Sequence, residues 1–172
     1  MSSRIIVDEI YGKTANTSAL TIDSGGRVLL PQIPCACVTI NLSNSQDTSN
    51  PYTTTGADIL FNVVTLNQGS VYNSSNGRFT APVAGIYEFS YTFLKDDAQN
   101  VTYMDMYKNG VSYVPNAGSR LYDENPSTYG SMSQKTLVDL AANDYLTLRL
   151  IAGGFHLDSG GSYHSVILKL VG

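Results

Sequence analysis

The chain has two histidines, His156 and His164, which are its natural candidates for acid–base chemistry. Imidazole acts as a general base when a nucleophile and an orienting carboxylate lie beside it. Serines are abundant, but no nucleophile-elbow spacing accompanies either histidine. His164 falls in an alternating strand pattern, and His156 lies in a glycine-bounded loop. The sequence therefore predicts no catalytic residues and no enzyme.

Two acidic pairs, Asp96-Asp97 and Asp123-Glu124, lie in polar loops. Solvated surface charge is the first interpretation of such pairs. A calcium site is the alternative, because calcium prefers oxygen ligands, although no EF-hand spacing is present. We expect no bound cofactor, with calcium as the open alternative.

The two cysteines, Cys35 and Cys37, are separated by one residue. On a strand they share a face at a separation that an unstrained disulfide does not span. Two thiols are also too few ligands for a zinc site. We expect two small buried hydrophobic side chains, with a redox or metal role as the alternative.

Tyrosines in polar loops are the predicted ligand contacts, because tyrosine offers contact area and a hydroxyl at low entropic cost. The alternative for each is a partly buried position in the core or between subunits. The candidates are Tyr52, Tyr113, Tyr122 and Tyr129.

The composition argues against two classes of partner. Charged residues are 14% of the 172 and the formal net charge is -4, so we expect no nucleic-acid binding. The apolar run at the N-terminus is too short for a signal-peptide core, and no stretch approaches the roughly 20 apolar residues that span a bilayer. We expect a chain made in the cytoplasm without membrane insertion.

Short alternating segments predict the elements that position these residues. The clearest has one aromatic face, formed by Tyr87, Phe89, Tyr91 and Phe93. Asn109-Gly110 predicts a hairpin turn, and residues 137–141 fit either a helix or a strand end. Many short strands with turns between them indicate an all-β sandwich, jelly roll or barrel. Further strands are predicted at 36–42, 58–64, 101–107, 146–150 and 166–170.

Residues 1–34 are predicted to form an extended N-terminal arm, followed by a head over residues 35–172. Two strand candidates at 19–22 and 27–30 flank a turn at Asp23–Gly26, so the arm ends in a β-hairpin. Two short strands cannot bury the arm's apolar side chains, so we expect the arm to attach the head to a partner. These side chains are Ile5, Val7, Ile10, Leu20, Ile22, Val28 and Leu30.

The segment Ser75–Tyr91 resembles the signature of the globular head domain of complement component 1q, within the tumour necrosis factor-like jelly-roll superfamily. The segments 106–110, 140–148 and 163–168 resemble later parts of that family, with Ala142-Asn143 and Ser165-Val166 replacing the usual glycines. The resemblance implies a two-sheet antiparallel jelly-roll sandwich that forms a homotrimer, and calcium is often held in a loop or near the trimer axis. The matching signature positions are Gly77, Arg78, Phe79, Pro82, Gly85, Tyr87 and Phe89.

Residues 10–12 and 17–31 resemble a segment found in structural proteins of tailed phages, especially phages of aquatic bacteria, where the segment precedes such a jelly roll. This implies a virion component that is assembled in the host cytoplasm and bound through its arm to a capsid or tail protein. We therefore expect a capsid decoration protein or a fibre head. Its free face binds a host-surface glycan or protein if it is a receptor-binding tail fibre. A soluble lectin-like ligand-binding module is the alternative, but such a module has no need of a hairpin arm.

Overall fold

The computed structural model describes residues 9–11, 18–22, 24–26, 28–29, 33–44, 46–113, 120–124 and 129–172. The chain divides into two compact units, residues 1–33 and 34–172. Over the described ranges, no helix is long and apolar enough to cross a membrane.

The first unit contains a three-stranded antiparallel sheet of β1 (Glu9–Tyr11), β2 (Ser18–Ile22) and β3 (Val28–Leu29), in that order. β2 and β3 form the predicted hairpin, and β1 is a strand that the sequence analysis did not predict. The role of the arm in attachment stays a prediction. Of its proposed residues, Ile10, Leu20, Ile22 and Val28 lie on these strands, whereas Ile5, Val7 and Leu30 lie outside the described residues.

The second unit consists of two antiparallel sheets, which confirms the predicted all-β sandwich. One has the order β12-β8-β14-β4-β5, and the other has the order β10-β9-β13-β7-β6 with β11 also paired to β9. No α-helix occurs in the described part of this unit, and residues 137–140 are the end of a strand. The strands are β4 (Cys35–Thr39), β5 (Val63–Gln68), β6 (Tyr72–Asn73), β7 (Arg78–Thr80), β8 (Gly85–Lys95), β9 (Thr102–Lys108), β10 (Val111–Ser112), β11 (Arg120–Asp123), β12 (Gly130–Leu140), β13 (Tyr145–Ala152) and β14 (Ser165–Leu170).

Strand β8 lies between β12 and β14 and supplies one wall of the core. Successive side chains of a strand point to opposite faces, so its aromatic residues all face the second sheet. These four side chains, Tyr87, Phe89, Tyr91 and Phe93, are completely buried or nearly so. The residues between them are only partly buried, because they lie on the outer face of the five-stranded sheet.

A continuous chain of aromatic rings runs through the core between the two sheets. Phe79 lies 4.6 Å from Tyr72 and 5.3 Å from Phe89, measured between ring centroids. Farther along, Phe93 lies 4.9 Å from Phe155, which stacks on Tyr52 at 4.6 Å. Aromatic pairs at these distances add roughly 0.5–1.5 kcal/mol each beyond the burial of their area.

Two glycines of the signature lie where another part of the backbone approaches closely. A Cβ atom on Gly77 would lie 2.5 Å from the carbonyl oxygen of Ile59, and Gly77 has a positive φ of 71°. A Cβ atom on Gly85 would lie 2.6 Å from the oxygen of Gly172. Larger residues at either position would displace the backbone beside them.

The remaining signature positions divide between core and surface. Phe79 is completely buried, whereas Arg78 and Pro82 are exposed. The guanidinium carbon of Arg78 lies 4.0 Å from the ring centroid of Tyr145, and the hydroxyl of Tyr87 donates to the carbonyl oxygen of Val83. Arg78 therefore packs on the surface of the six-stranded sheet.

Two predictions of local structure were wrong. The strand predicted at 58–64 begins only at Val63, because the predicted segment before Val63 pairs with β13 only at Asp58 and Ile59, and its backbone then bonds to side chains. The N–H of Leu60 donates to Gln46 Oε1 and that of Phe61 donates to the hydroxyl of Tyr72.

The second wrong prediction is that Cys35 and Cys37 are buried in the core. Both are free and only half-buried. In β4 the residues that face the core are Ala36 and Val38, so Cys35 and Cys37 lie on the outer face of the sheet. There the thiol of Cys35 lies 4.0 Å from Gln68 Oε1.

Replacing Phe89 by Ala removes a ring from the centre of the aromatic chain. We expect the free energy of unfolding to fall by roughly 3–5 kcal/mol, because a buried phenylalanine leaves a cavity. Urea denaturation measures this change, with Tyr122→Ala as a control that truncates an exposed aromatic side chain and shifts stability by about 0.5 kcal/mol or less. Equal effects of the two substitutions would contradict the strand register.

Candidate functional site

A cavity of about 260 Å³ opens where β8 ends. Its described lining comprises Leu94 on the outer face of β8, Tyr129 just before β12, and His156 and Tyr163 between β13 and β14. Three aromatic rings and one aliphatic side chain thus come together from three separate parts of the chain. We call these four residues the aromatic box.

The backbone of His156 is fixed from both sides. Its N–H donates to the carbonyl oxygen of Leu94 at 2.8 Å, and its own carbonyl oxygen accepts from Nε2 of His164. The neighbouring side chains of Phe155 and Leu157 are buried in the core. The imidazole therefore projects from a segment that is anchored to the sandwich.

Two side chains orient the imidazole of His156. Its Nδ1 lies 2.8 Å from Asp96 Oδ2 and 3.0 Å from Asn50 Nδ2. Asn50 is itself positioned by the N–H of Leu157, which donates to its Oδ1 at 2.7 Å. Asp96 is buried and accepts the N–H of Ala98 through Oδ1. Both contacts are made at Nδ1, and they hold the imidazole in place.

Tyr129 and Tyr163 form the walls beside the imidazole. The Tyr129 ring is perpendicular to that of His156 at a centroid distance of 5.2 Å, and the Tyr163 ring is inclined by 62° at 5.6 Å. Both tyrosines remain about half exposed. Burial raises the pKa of Tyr129 above its usual value, and the carboxylates of Asp97 and Asp96 raise it further. The box is thus aromatic, open to solvent and close to negative charge.

His164 supports the box from inside the core. Its ring lies 5.2 Å from both Phe93 and Phe155. Burial lowers the pKa of His164 to about 4, although the hydrogen bond to His156 opposes this change. The side chain is therefore neutral at pH 7, and Nε2 carries the hydrogen that reaches the His156 carbonyl oxygen.

The structure separates the four predicted ligand tyrosines. Tyr129 lies in the aromatic box, and Tyr113 is half-buried against the core. Tyr52 was wrongly predicted as a ligand contact, because it is completely buried and its hydroxyl donates to Gln46 Oε1. Tyr122 is exposed, and its hydroxyl donates to Glu124 Oε2 at 2.7 Å.

Tyr122 belongs to a surface whose polar groups already satisfy one another. The guanidinium of Arg120 contacts both oxygens of Asp105, at 2.8 and 3.1 Å, and stacks over the ring of Tyr103. Polar groups that are paired in this way have little hydrogen-bonding capacity left for a ligand. The aromatic box is the stronger candidate.

Of the two acidic pairs, the Asp96-Asp97 pair departs from the predicted interpretation at Asp96. Asp97 is exposed as expected for solvated charge, but Asp96 is buried, because it is tied to His156 and to Ala98. Within the described ranges, no group of three or more histidine, cysteine, aspartate or glutamate side chains is arranged to hold a metal ion.

Leu94 and Tyr163 were not predicted as site residues, and Asp96 was considered only as a possible calcium ligand. Leu94 and Asp96 follow directly on the aromatic face of β8, and Tyr163 directly precedes His164. An aromatic residue beside each of two histidines in the same glycine-rich loop was the available signal.

Comparison with known proteins places this geometry in context. The C1q domain model matches residues 42–166. The chain is 30% identical over 101 residues to complement C1q tumor necrosis factor-related protein 3 of mouse and of human. The alignment spans 58% of this chain but only 39% of either relative.

Solved structures show the same fold at low sequence identity. The globular domain of zebrafish complement 1qA superimposes with a TM-score of 0.62 at 18% identity, covering 81% of this chain and 98% of that one. Murine APRIL gives 0.60 at 12% identity, covering 81% and 99%. The Eiger TNF of S. frugiperda gives 0.61 at 12% identity, covering 82% and 94%. The jelly-roll prediction is thereby confirmed.

The neutral, buried state of His164 predicts a specific loss of stability in acid. An unfolded histidine titrates near 6.5, so the unfolded state binds the proton first as the pH falls. Neutral His164 therefore contributes about 3 kcal/mol to the free energy of unfolding above pH 6.5. This contribution decreases as the pH falls below 6.5 and is lost by about pH 4.

Replacement of His164 by Gln keeps an N–H donor without a titrating ring. Urea unfolding at a series of pH values should show a shallower loss of stability for this variant between pH 6.5 and 4. Between pH 7 and 8 the two proteins should have parallel profiles, which serves as the control. An unchanged acid slope in the variant would show that His164 is not the titrating group.

Proposed function

Since the chain belongs to the C1q domain family, we propose that it works as a homotrimeric, non-enzymatic binding head carried on a virus particle. Domains of this family are in general trimeric ligand-binding modules without enzymatic activity. The observation that carries the proposal for this chain is an apolar outer face on its five-stranded sheet, which a single copy leaves exposed.

The outer face contains apolar side chains from four strands. Leu137 on β12 is 62% exposed, and Ile86 on β8 and Leu66 on β5 are also exposed. Ile167 is paired with Cys37, which is paired with Leu66, so these three form a continuous row across strands. An exposed apolar row of this kind, with Leu137 and Ile86 on the same face, is typical of an interaction site. Association of three copies through this face removes it from water.

A group of three charges lies among these apolar residues. Glu88 accepts from Lys135 of β12 at 2.7 Å and from Lys169 of β14 at 3.2 Å. These two lysines lower the pKa of Glu88 below its usual value. Buried ion pairs add little net stability, but they can fix the register of an interface. The pattern suits one defined mode of self-association.

The virion setting rests on the arm and on its resemblance to phage structural proteins. The three-stranded sheet of residues 9–29 precedes the head and has its own pairing. An attachment role explains why a head with a separate core carries such a unit. The partner of the arm is a capsid or tail protein.

Among virion roles, the aromatic box favours a receptor-binding fibre head over a capsid decoration protein. Decoration requires only surfaces that contact the shell. An open pocket of aromatic rings with an oriented imidazole is the form of a small-ligand site.

The trimer is tested by light scattering of the purified chain. We expect a mass of three times 18.5 kDa. Leu137→Asp places a charge on the outer face and should yield monomers, because an unpaired charge is costly to bury. Val111→Asp, at a 70% exposed position of the other sheet, is the control and should remain trimeric. A monomeric parent protein would overturn the proposal.

Removal of residues 1–33 should abolish incorporation into particles, because the arm supplies the attachment surface. Mass spectrometry of purified virions measures incorporation, and light scattering shows whether the shortened chain remains trimeric. Normal incorporation would place the attachment surface on the head. Loss of folding would show that the first unit is required for the core.

A further inference from the structure

We propose that the aromatic box binds an alkylated ammonium group, such as a trimethylammonium headgroup. The inference rests on the proposed function as a binding head and names the ligand chemistry of its pocket. It follows from the shape of the box, from the charge beside it and from the hydrogen bonds that its polar atoms already make.

The shape suits a compact group enclosed by rings. The Tyr129 and Tyr163 rings are inclined at 90° and 62° to the imidazole of His156, so the rings surround a space and do not form one flat platform. A cation is attracted when it lies within about 6 Å of an aromatic centroid. The rings are neighbours, with centroid separations of 5.2 and 5.6 Å, and all three line the same cavity, so a small group in that cavity contacts more than one ring.

The size also fits a small head group. The cavity of about 260 Å³ is below the roughly 300–1,000 Å³ that drug-sized ligands occupy. Leu94 completes the lining with methyl groups. Methyl substituents on a nitrogen atom therefore contact apolar side chains while the positive charge faces the rings.

The charge around the box favours a cation over an anion. Asp96 and Asp97 are close enough to Tyr129 for both carboxylates to raise its pKa. The four described lining residues include no lysine or arginine. Lys95 is adjacent in sequence to Leu94, but it is buried and its Nζ donates to the carbonyl oxygen of Gln99.

Two polar atoms of the site, Nδ1 of His156 and the hydroxyl of Tyr129, already have protein partners, which disfavours a sugar. Nδ1 of His156 lies within hydrogen-bond distance of Asp96 and of Asn50, and the hydroxyl of Tyr129 bonds to Asp97. A monosaccharide needs several free donors and acceptors beside a flat ring. The box presents mainly ring surfaces and the methyl groups of Leu94, and a methylated nitrogen is complementary to such a surface.

The test compares a cation with a neutral molecule of the same shape. Calorimetric titration of the full chain with choline should show binding at least about tenfold tighter than with 3,3-dimethyl-1-butanol, in which carbon replaces the nitrogen. Equal affinities would show an apolar pocket without cation selectivity and would overturn the proposal. Tighter binding of glucose than of choline would also overturn it.

Variants assign the binding to the box. Tyr163→Leu keeps an apolar side chain but removes a ring, and we expect choline affinity to fall about tenfold. Asp97→Asn, at an exposed position, should weaken choline several-fold and leave the neutral analogue unchanged. Tyr122→Leu is the matched control outside the box and should bind as the parent does. A loss in the control equal to that in Tyr163→Leu would contradict the assignment.

Further titrations distinguish which kind of molecule carries the alkylated ammonium group. Selective binding to phosphatidylcholine vesicles over phosphatidylglycerol vesicles indicates a lipid headgroup, and selective binding of a trimethyllysine peptide over its unmodified form indicates a protein ligand. Binding of free choline alone indicates a small molecule. A protein that is trimeric and joins particles but does not bind choline refutes this inference and leaves the proposed function intact.

Discussion

The packing of the β8 aromatic residues against the second sheet is the contact on which the rest of the molecule depends. Phe89 touches Phe79, and Phe93 touches Phe155, so one strand joins the signature turn at one point to the β13–β14 connection at another. His156 follows directly on Phe155 and so inherits its position from the core. The fold and the candidate site are therefore stabilised by the same chain of rings.

The central strand was predictable because its signal is local and its two faces differ in polarity. The neighbouring error at 58–64 shows the limit of that signal. Ile59 and Phe61 are two residues apart and completely buried, as alternate residues of a strand are. The backbone N–H groups of Leu60 and Phe61 nevertheless donate to the side chains of Gln46 and Tyr72, which lie 14 and 11 residues away, and periodicity carries no information about such partners.

The candidate site was much less predictable, because residue type does not determine burial. Tyr52 and Tyr129 both follow polar loop sequences, yet Tyr52 stacks on Phe155 in the core while Tyr129 remains half exposed. The imidazole of His156 is oriented by side chains 60 and 106 residues away. Only the folded sandwich brings these groups together.

Because side chains of β8 alternate between its two faces, this one strand contributes to the core, to the outer face of the sheet and to the aromatic box. Its odd-numbered positions from Tyr87 to Phe93 fill the interior, while Ile86 and Glu88 lie on the outer face that we assign to self-association. At the far end the same outward row reaches Leu94, which lines the aromatic box. A shift in register of one residue would exchange the faces, exposing the rings and burying Glu88. Because that exchange is so costly, the aromatic row fixes the position of both surfaces, and the loops and neighbouring strands are left to determine what they bind.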